Sequence, residues 1–173
     1  AHLLYGVTDS GGFIQLTGEV GTGKTTLIRA LLEQLPKKIE IALIMHTQIS
    51  AEEFLIEICN ELKIKNSSKS MIEIVNLLNH YLLEQYSDGK RVILLVDEAQ
   101  NLKPDVLEQL RLLTNLETAH KKLLQIILIG QPELRDVLAK NNLRQLAQRV
   151  TARYHLEPLS QLETNLYIDH RLK

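Results

Sequence analysis

At 173 residues with 45% hydrophobic side chains, the chain is long enough for one domain with a substantial core. Only 4% of the residues are aromatic and none is Trp, so that core has to be built from Leu, Ile and Val. A formal charge of −1 argues against a broad electrostatic footprint for nucleic acid while leaving a local basic patch open, and the lone Cys59 excludes a disulfide framework or a zinc site made of cysteines, as suits a reducing cytosol.

The first residues, Ala1-His2-Leu3-Leu4-Tyr5-Gly6-Val7, read as the tail of a helix already under way, punctuated by Gly6 and by Gly11-Gly12. The run 13–17 is predicted as the first strand. A helical pattern follows a glycine-rich loop, with Leu27, Leu31 and Leu35 on one stripe, Ile28 and Leu32 beside it, and Pro36 as its stop. Residues 39–45 form a second, nearly all-aliphatic strand. Ser50 and Glu53 make a capping box for a helix with Phe54, Leu55, Ile58 and Leu62 inward. After the loop Asn66-Ser67-Ser68, a second box of Ser70 and Glu73 opens a longer helix bearing Met71, Ile74, Val75, Leu78 and Leu82 at helical spacing.

Ser87-Asp88-Gly89 turns the chain into Val92-Ile93-Leu94-Leu95-Val96, an unbroken aliphatic run of the kind found in a strand buried on both faces. Pro104 opens a helix with Val106, Leu107, Leu110 and Leu113 inward. The run 123–129 is a fourth strand, Pro132 opens a short helix, and 151–156 is a shorter fifth strand. Ser160 and Glu163 form a third capping box, starting a helical pattern that runs to Lys173 without a stop signal. Both ends therefore read as cut from something longer. Neither a signal-peptide pattern nor an apolar stretch near the ~20 residues that cross a bilayer is visible. Strands alternate with helices throughout, which predicts a parallel sheet in a three-layer α/β sandwich.

The loop after the first strand reads Gly18-Glu19-Val20-Gly21-Thr22-Gly23-Lys24-Thr25, followed by Thr26: the pattern G-x-x-x-x-G-K-T, preceded by a strand and opening a helix. Glycines let a backbone wrap closely, so that successive N–H groups point at phosphate oxygens, and the helix adds its positive N-terminal end. In that reading Lys24 reaches the β- and γ-phosphates of ATP and the Thr25 hydroxyl takes a position on Mg²⁺. A glycine-rich turn that matches by chance is the bland alternative, and the flanking strand and helix weigh against it.

The third strand ends in Asp97-Glu98. Ligands of open α/β sheets lie beyond the carboxyl ends of the strands, so these acids are delivered to the same edge as the loop. Asp97 would hold Mg²⁺ through its waters, and Glu98 would orient the water that attacks the γ-phosphate. The alternative is a pair that merely begins a turn, with Asp97 capping backbone N–H groups. Gln131, just past the fourth strand, either lies near the γ-phosphate and senses it or caps the helix at Pro132. His46, at the end of the second strand, either contacts Glu98 or is an ordinary exposed histidine. Arg144, Arg149 and Arg153 precede or enter the fifth strand. Arg149 is favoured as an arginine finger reaching a neighbouring subunit's γ-phosphate, against a solvated surface or an ion pair with Glu157 or Glu163. His2, His80, His120, His155 and His170 show no metal-ligand spacing.

Taken together, the loop 18–25, Asp97-Glu98-Ala99-Gln100-Asn101-Leu102 and the stretch 127–134 resemble the AAA+ ATPases. Ser10-Gly11-Gly12-Phe13, Gly130-Gln131-Pro132-Glu133-Leu134 and Tyr167-Ile168-Asp169-His170-Arg171-Leu172 resemble in particular the bacterial secretion-pathway protein A group and its relatives in pilus biogenesis. The resemblance implies a P-loop NTPase core over 1–158 with five parallel strands in the order 5-1-4-3-2, and the start of a truncated helical lid over 159–173. It also implies an ATPase using ATP and Mg²⁺, self-association through the finger, and secretion or pilus-assembly components as partners. The setting it implies is the cytoplasmic part of an inner-membrane protein whose membrane and periplasmic segments are absent here. Many relatives carry Asn where His46 stands. The same subfamily includes transposition regulators that assemble on DNA, so a nucleic-acid-associated ATPase is the alternative. A nucleotide-gated scaffold with little turnover is a further one, and a phosphotransferase, which lacks an evident acceptor-binding insertion, a weaker one.

Overall fold

The computed structural model describes residues 12–67, 70–118, 121–140, 143–158, 160, 163 and 164. The elements are β1 (Gly12–Gly18), α1 (Lys24–Gln34), β2 (Ile39–Ile44), α2 (Ala51–Glu61), α3 (Met71–Ser87), β3 (Arg91–Val96), a 3-10 turn (Ala99–Asn101), α4 (Pro104–Leu113), β4 (Leu124–Gly130), α5 (Glu133–Ala139), α6 (Arg144–Ala147) and β5 (Val150–Leu156). The expected N-terminal helix tail at 1–7 lies outside the described residues. So does the expected lid over 159–173, apart from Ser160, Glu163 and Thr164.

All five strands are parallel, in the order β2-β3-β4-β1-β5, which is the expected order read from the other edge. The three inner strands have helices above and below and water on neither side, which is why β3 is an unbroken aliphatic run and why β1 and β4 are mostly apolar, with Gln15, Thr17 and Gln125 as their buried polar exceptions. From Val92 to Val96 every residue of β3 is buried, and β1 and β4 are buried along their whole length. At the edge, β5 alternates instead: Thr151, Arg153 and His155 are exposed while Ala152 and Tyr154 between them are half-buried. That half-wet pattern is what makes it the weakest strand signal in the sequence.

The two faces are unequally covered. Ile14 and Leu16 of β1, Ile93 and Leu95 of β3, and Ile127 and Ile129 of β4 pack against Ile28 and Leu31 of α1. On the opposite face, Phe13, Val92, Leu94, Val96, Ile126 and Leu128 share one continuous core with Phe54, Leu55 and Ile58 of α2, Leu78 and Leu82 of α3, and Leu110 of α4. Leu134 of α5 and Leu146 of α6 extend it. Among the described residues, α1 alone covers the first face.

Local signals behave as their chemistry predicts, with small departures. Ser50 closes a reciprocal capping box: its Oγ accepts from the Glu53 N–H at 3.2 Å, and its own N–H donates to Glu53 Oε2 at 2.7 Å. Ser160 and Glu163 make the same pair of bonds, at 3.3 and 2.8 Å. Ser70 takes the N-cap position of α3 with an extended backbone but forms no side-chain cap bond. The fourth strand starts one residue later than predicted. The Leu123 N–H bonds back to the Leu116 carbonyl at 3.1 Å, next to an isolated antiparallel bridge between Glu117 and Lys122, and the ladder with β3 begins at Leu124. The second strand ends at Ile44 rather than Met45, whose side chain is exposed. Neither α6 nor the 3-10 turn after Glu98 is foreseen from periodicity, because both are too short to show one.

Candidate functional site

Parallel strands put all their carboxyl ends on one edge, and the order β3-β4-β1 makes the three candidate loops neighbours there. The loop after β1 is shaped by its glycines. Gly21 and Gly23 have φ values of 82° and 83°, and a Cβ on either would meet nothing within 4 Å, so left-handed backbone rather than crowding demands glycine. Gly18 is the reverse case. A Cβ there would lie 2.8 Å from the Leu156 carbonyl oxygen of β5, so the loop can leave the sheet at this point only without a side chain. Thr22 steadies the bend, its Oγ1 donating to the Glu19 carbonyl at 2.8 Å.

Lys24 is the first residue of α1 and is only 8% exposed. A buried ammonium must be hydrogen-bonded, and Nζ donates to the carbonyls of Gly18 at 2.7 Å and Glu19 at 2.8 Å. The cation is thus folded across the mouth of its own loop. Thr25 and Thr26 follow on the exposed side of the first helical turn, and Glu19 and Val20 are exposed at the loop tip, Val20 at 77%.

Asp97 prolongs β3, its N–H bonding the Ile44 carbonyl at 2.9 Å, and its Oδ1 accepts the Glu98 N–H at 2.9 Å. The carboxylate thus accepts from a turn N–H at the end of the strand. Glu98 has φ 49° and ψ 39°, a left-handed conformation in which a residue with a side chain is held at a cost of about 1–3 kcal/mol. Its carboxylate is held by Gln100, whose Nε2 donates to Oε2 at 2.6 Å. The same amide's Oε1 accepts the Gln131 N–H at 3.1 Å. His46 is exposed, and it is Gln100 that holds the Glu98 carboxylate.

Gln131 lies directly after β4, half-buried, one residue before Pro132, the N-cap of α5; no side-chain cap bond forms at that helix. Four residues on, Arg135 Nη2 donates to Thr17 Oγ1 at 3.2 Å, and the same hydroxyl lies 3.1 Å from His155 Nδ1. This buried threonine immediately precedes Gly18, so α5 and β5 are tied to the root of the loop. Of the three arginines weighed as fingers, Arg149 is half-buried and engaged within the chain: its Nη1 donates to the Arg111 carbonyl at 3.1 Å and to the Thr114 hydroxyl, at the C-terminus of α4. Arg153 donates to the Ala147 carbonyl at 3.1 Å, and Arg144 is exposed in α6.

Sequence reasoning brought the loop, the acids and Gln131 to one edge and passed over Gln100 and Arg135. Gln100 follows Glu98 by two residues, a spacing that does not set two side chains face to face, so it carried no signal for their bond. Arg135 had none, because its partner is 118 residues away.

The donor set fits a magnesium nucleotide better than a protein-held metal. No group of three or more His, Cys, Asp or Glu side chains that could hold a metal occurs among the described residues. Magnesium retains waters and is held by one or two protein oxygens plus substrate phosphates, which is what one loop hydroxyl and one strand-end carboxylate offer. Thiol chemistry has no place here: Cys59 is buried in the core and burial pushes its thiol up to about 11. No helix among the described residues is long and apolar enough to cross a membrane.

General secretion pathway protein A of Aeromonas hydrophila is 53% identical over 174 residues, covering 100% of this chain and 32% of that protein. The chain thus spans about a third of the length of this relative. Among solved structures, the ORC2 protein of Aeropyrum pernix superposes with a TM-score of 0.74 at 14% identity, covering 95% of this chain and 47% of that one. Cdc6p of Pyrobaculum aerophilum superposes with a TM-score of 0.70 at 21% identity, covering 96% and 46%. At such identities these two likenesses speak to the fold alone. The family model described as "AAA domain" matches residues 7–138, and with a P-loop, a parallel sheet of the expected order and strand-end acids in place, the chain belongs to that family.

Proposed function

We propose that the chain binds ATP with Mg²⁺ and hydrolyses it, as the oligomeric motor or switch domain of a bacterial secretion or pilus-assembly protein. The observation that carries the reading is the buried Lys24 ammonium on the loop after β1, at the same sheet edge as Glu98 at the end of β3. On binding, Lys24 would exchange two neutral carbonyl acceptors for β- and γ-phosphate oxygens, with the loop from Gly18 to Gly23 and the residues Thr25 and Thr26 surrounding the phosphates. Thr25 and Asp97 would hold the magnesium, which when bound neutralises phosphate charge. Glu98 would orient and polarise a water in line with the γ-phosphorus; the water oxygen bonds to phosphorus as the bond from phosphorus to the bridging oxygen breaks and ADP leaves, and the water's proton passes to the Glu98 carboxylate. Gln131 would read the presence of the γ-phosphate.

The 53% identity to a secretion-pathway protein supports the cellular setting: self-association, secretion or pilus-assembly partners, and the cytoplasmic side of the inner membrane. Purified protein should release phosphate from ATP in the presence of Mg²⁺ and stop when the metal is chelated. Tight ATP binding with no phosphate release would favour the nucleotide-gated scaffold, and release that depends on added DNA would favour the transposition-type reading.

In the oligomer, Arg149 would leave the C-terminus of α4 and reach the neighbour's γ-phosphate, exchanging a carbonyl and a hydroxyl for developing phosphoryl charge. Mixing tests this directly. Arg149→Ala subunits and Lys24→Ala subunits, each inactive alone, should recover turnover together, because an intact site can then face an intact finger. Absence of rescue at any mixing ratio, with assembly retained, removes the finger from Arg149.

A further inference from the structure

Gln100 occupies a position that the nucleotide-binding reading leaves without a role. Its amide joins two of the loops at the sheet edge. Nε2 donates to Glu98 Oε2 at 2.6 Å, and Oε1 accepts from the Gln131 N–H at 3.1 Å. The orientation is dictated by chemistry, since only the NH₂ end can face a carboxylate and only the carbonyl end can face an N–H.

The surroundings leave this side chain little freedom. A Cβ on Gly130 would lie 2.5 Å from Gln100 Oε1, so the glycine at the end of β4 is what admits the amide. On the other side, Glu98 is held left-handed and the 3-10 turn Ala99–Asn101 follows at once, with the Asn101 N–H bonded to the Glu98 carbonyl at 3.0 Å. The Glu98 carboxylate is therefore fixed to the backbone of Gln131 through one rigid planar group.

We propose that Gln100 is a positioning residue that couples the end of β4 to Glu98, so that displacement of the Gln131 backbone is passed to the water-orienting carboxylate through the amide. The inference rests on the hydrolytic reading of Glu98. Its physical content is that a carboxylate on a single flexible stem samples several rotamers, whereas in-line attack needs one, and a charge-assisted hydrogen bond selects it. Holding the same amide from β4 makes that selection conditional on where the γ-phosphate-facing loop sits.

The test separates this role from a mere staple between two loops. Gln100→Met keeps the length and volume but removes both bonds. Gln100→Glu keeps an acceptor for the Gln131 N–H and sets a carboxylate against that of Glu98. ATP affinity, by fluorescent-nucleotide titration, and kcat are measured for both variants and for the wild-type chain. The coupling role predicts a fall in kcat of about tenfold or more in each variant with ATP affinity within about twofold, the Glu variant being impaired at least as much as the Met variant. A staple predicts the opposite order, because Glu retains the contact with β4. Wild-type turnover in either variant, or a loss of affinity that matches the loss of turnover, overturns the proposal while the hydrolytic reading stands. A wild-type chain that binds ATP and releases no phosphate overturns both.

Discussion

Glu98→Gln should bind ATP as the wild-type chain does and turn it over at least about a hundredfold more slowly. The substitution replaces one oxygen by NH₂ and leaves the shape unchanged. The remaining carbonyl can still accept from Gln100 Nε2, so the side chain stays where the structure holds it, 2.6 Å from the amide. What disappears is the negative charge that orients and polarises the attacking water. The Lys24 ammonium is bonded to the carbonyls of its own loop rather than to Glu98, and the binding half of the site should be untouched. Phosphate release under saturating ATP, set beside equilibrium binding of labelled nucleotide, measures the two halves separately. Undiminished phosphate release from purified Glu98→Gln protein would remove Glu98 from its proposed role and return the two acids to turn formation.

Lys24→Ala is expected to have the opposite signature, a collapse of affinity. The ammonium is the one cation that the loop itself carries, and it is buried against the carbonyls of Gly18 and Glu19. Charge-assisted bonds to phosphate are worth about 1.5–3 kcal/mol each, so loss of the lysine should weaken ATP binding by roughly a hundredfold or more. The fold should survive. The loop's path is set by the left-handed Gly21 and Gly23 and by Thr22, and the α1 side chains that pack on the sheet, Ile28 and Leu31, lie further along the helix. Calorimetric titration with ATP, with circular dichroism as the control for folding, reads the effect. Wild-type affinity in a folded Lys24→Ala protein would mean that the loop is not the phosphate site.

Much of the fold was legible because burial writes itself into local composition. The run Val92–Val96 is aliphatic without interruption since both faces of β3 are covered, and β4 is equally buried, its run 126–129 aliphatic after the buried Gln125. Capping at Ser50 and Ser160 was visible because the two partners sit three residues apart and meet as soon as one turn of helix forms. Ser70 shows the limit: the same spacing sets the N-cap position without a cap bond from the serine side chain. The shift at Leu123 was invisible, since its N–H bonds the Leu116 carbonyl seven residues back, beside a bridge between Glu117 and Lys122 that no local pattern announces.

The candidate site divides in the same way. Gly18, Gly21, Gly23 and Lys24 act through the backbone of one short segment, so their spacing alone carries the geometry of the loop. The AAA family membership likewise rests on motifs contiguous in the chain, whereas the strand order was expected only through the family resemblance. Gln100 meeting Gln131, Arg135 reaching Thr17 and Arg149 bonding the end of α4 are matters of tertiary structure alone. Each joins segments 31 to 118 residues apart, and which side chain arrives is decided by strand order and register. Local sequence determined which groups can handle a phosphate; only the packed sheet decided which neighbours hold them, because hydrogen bonds between distant segments form only after the strands have been brought side by side.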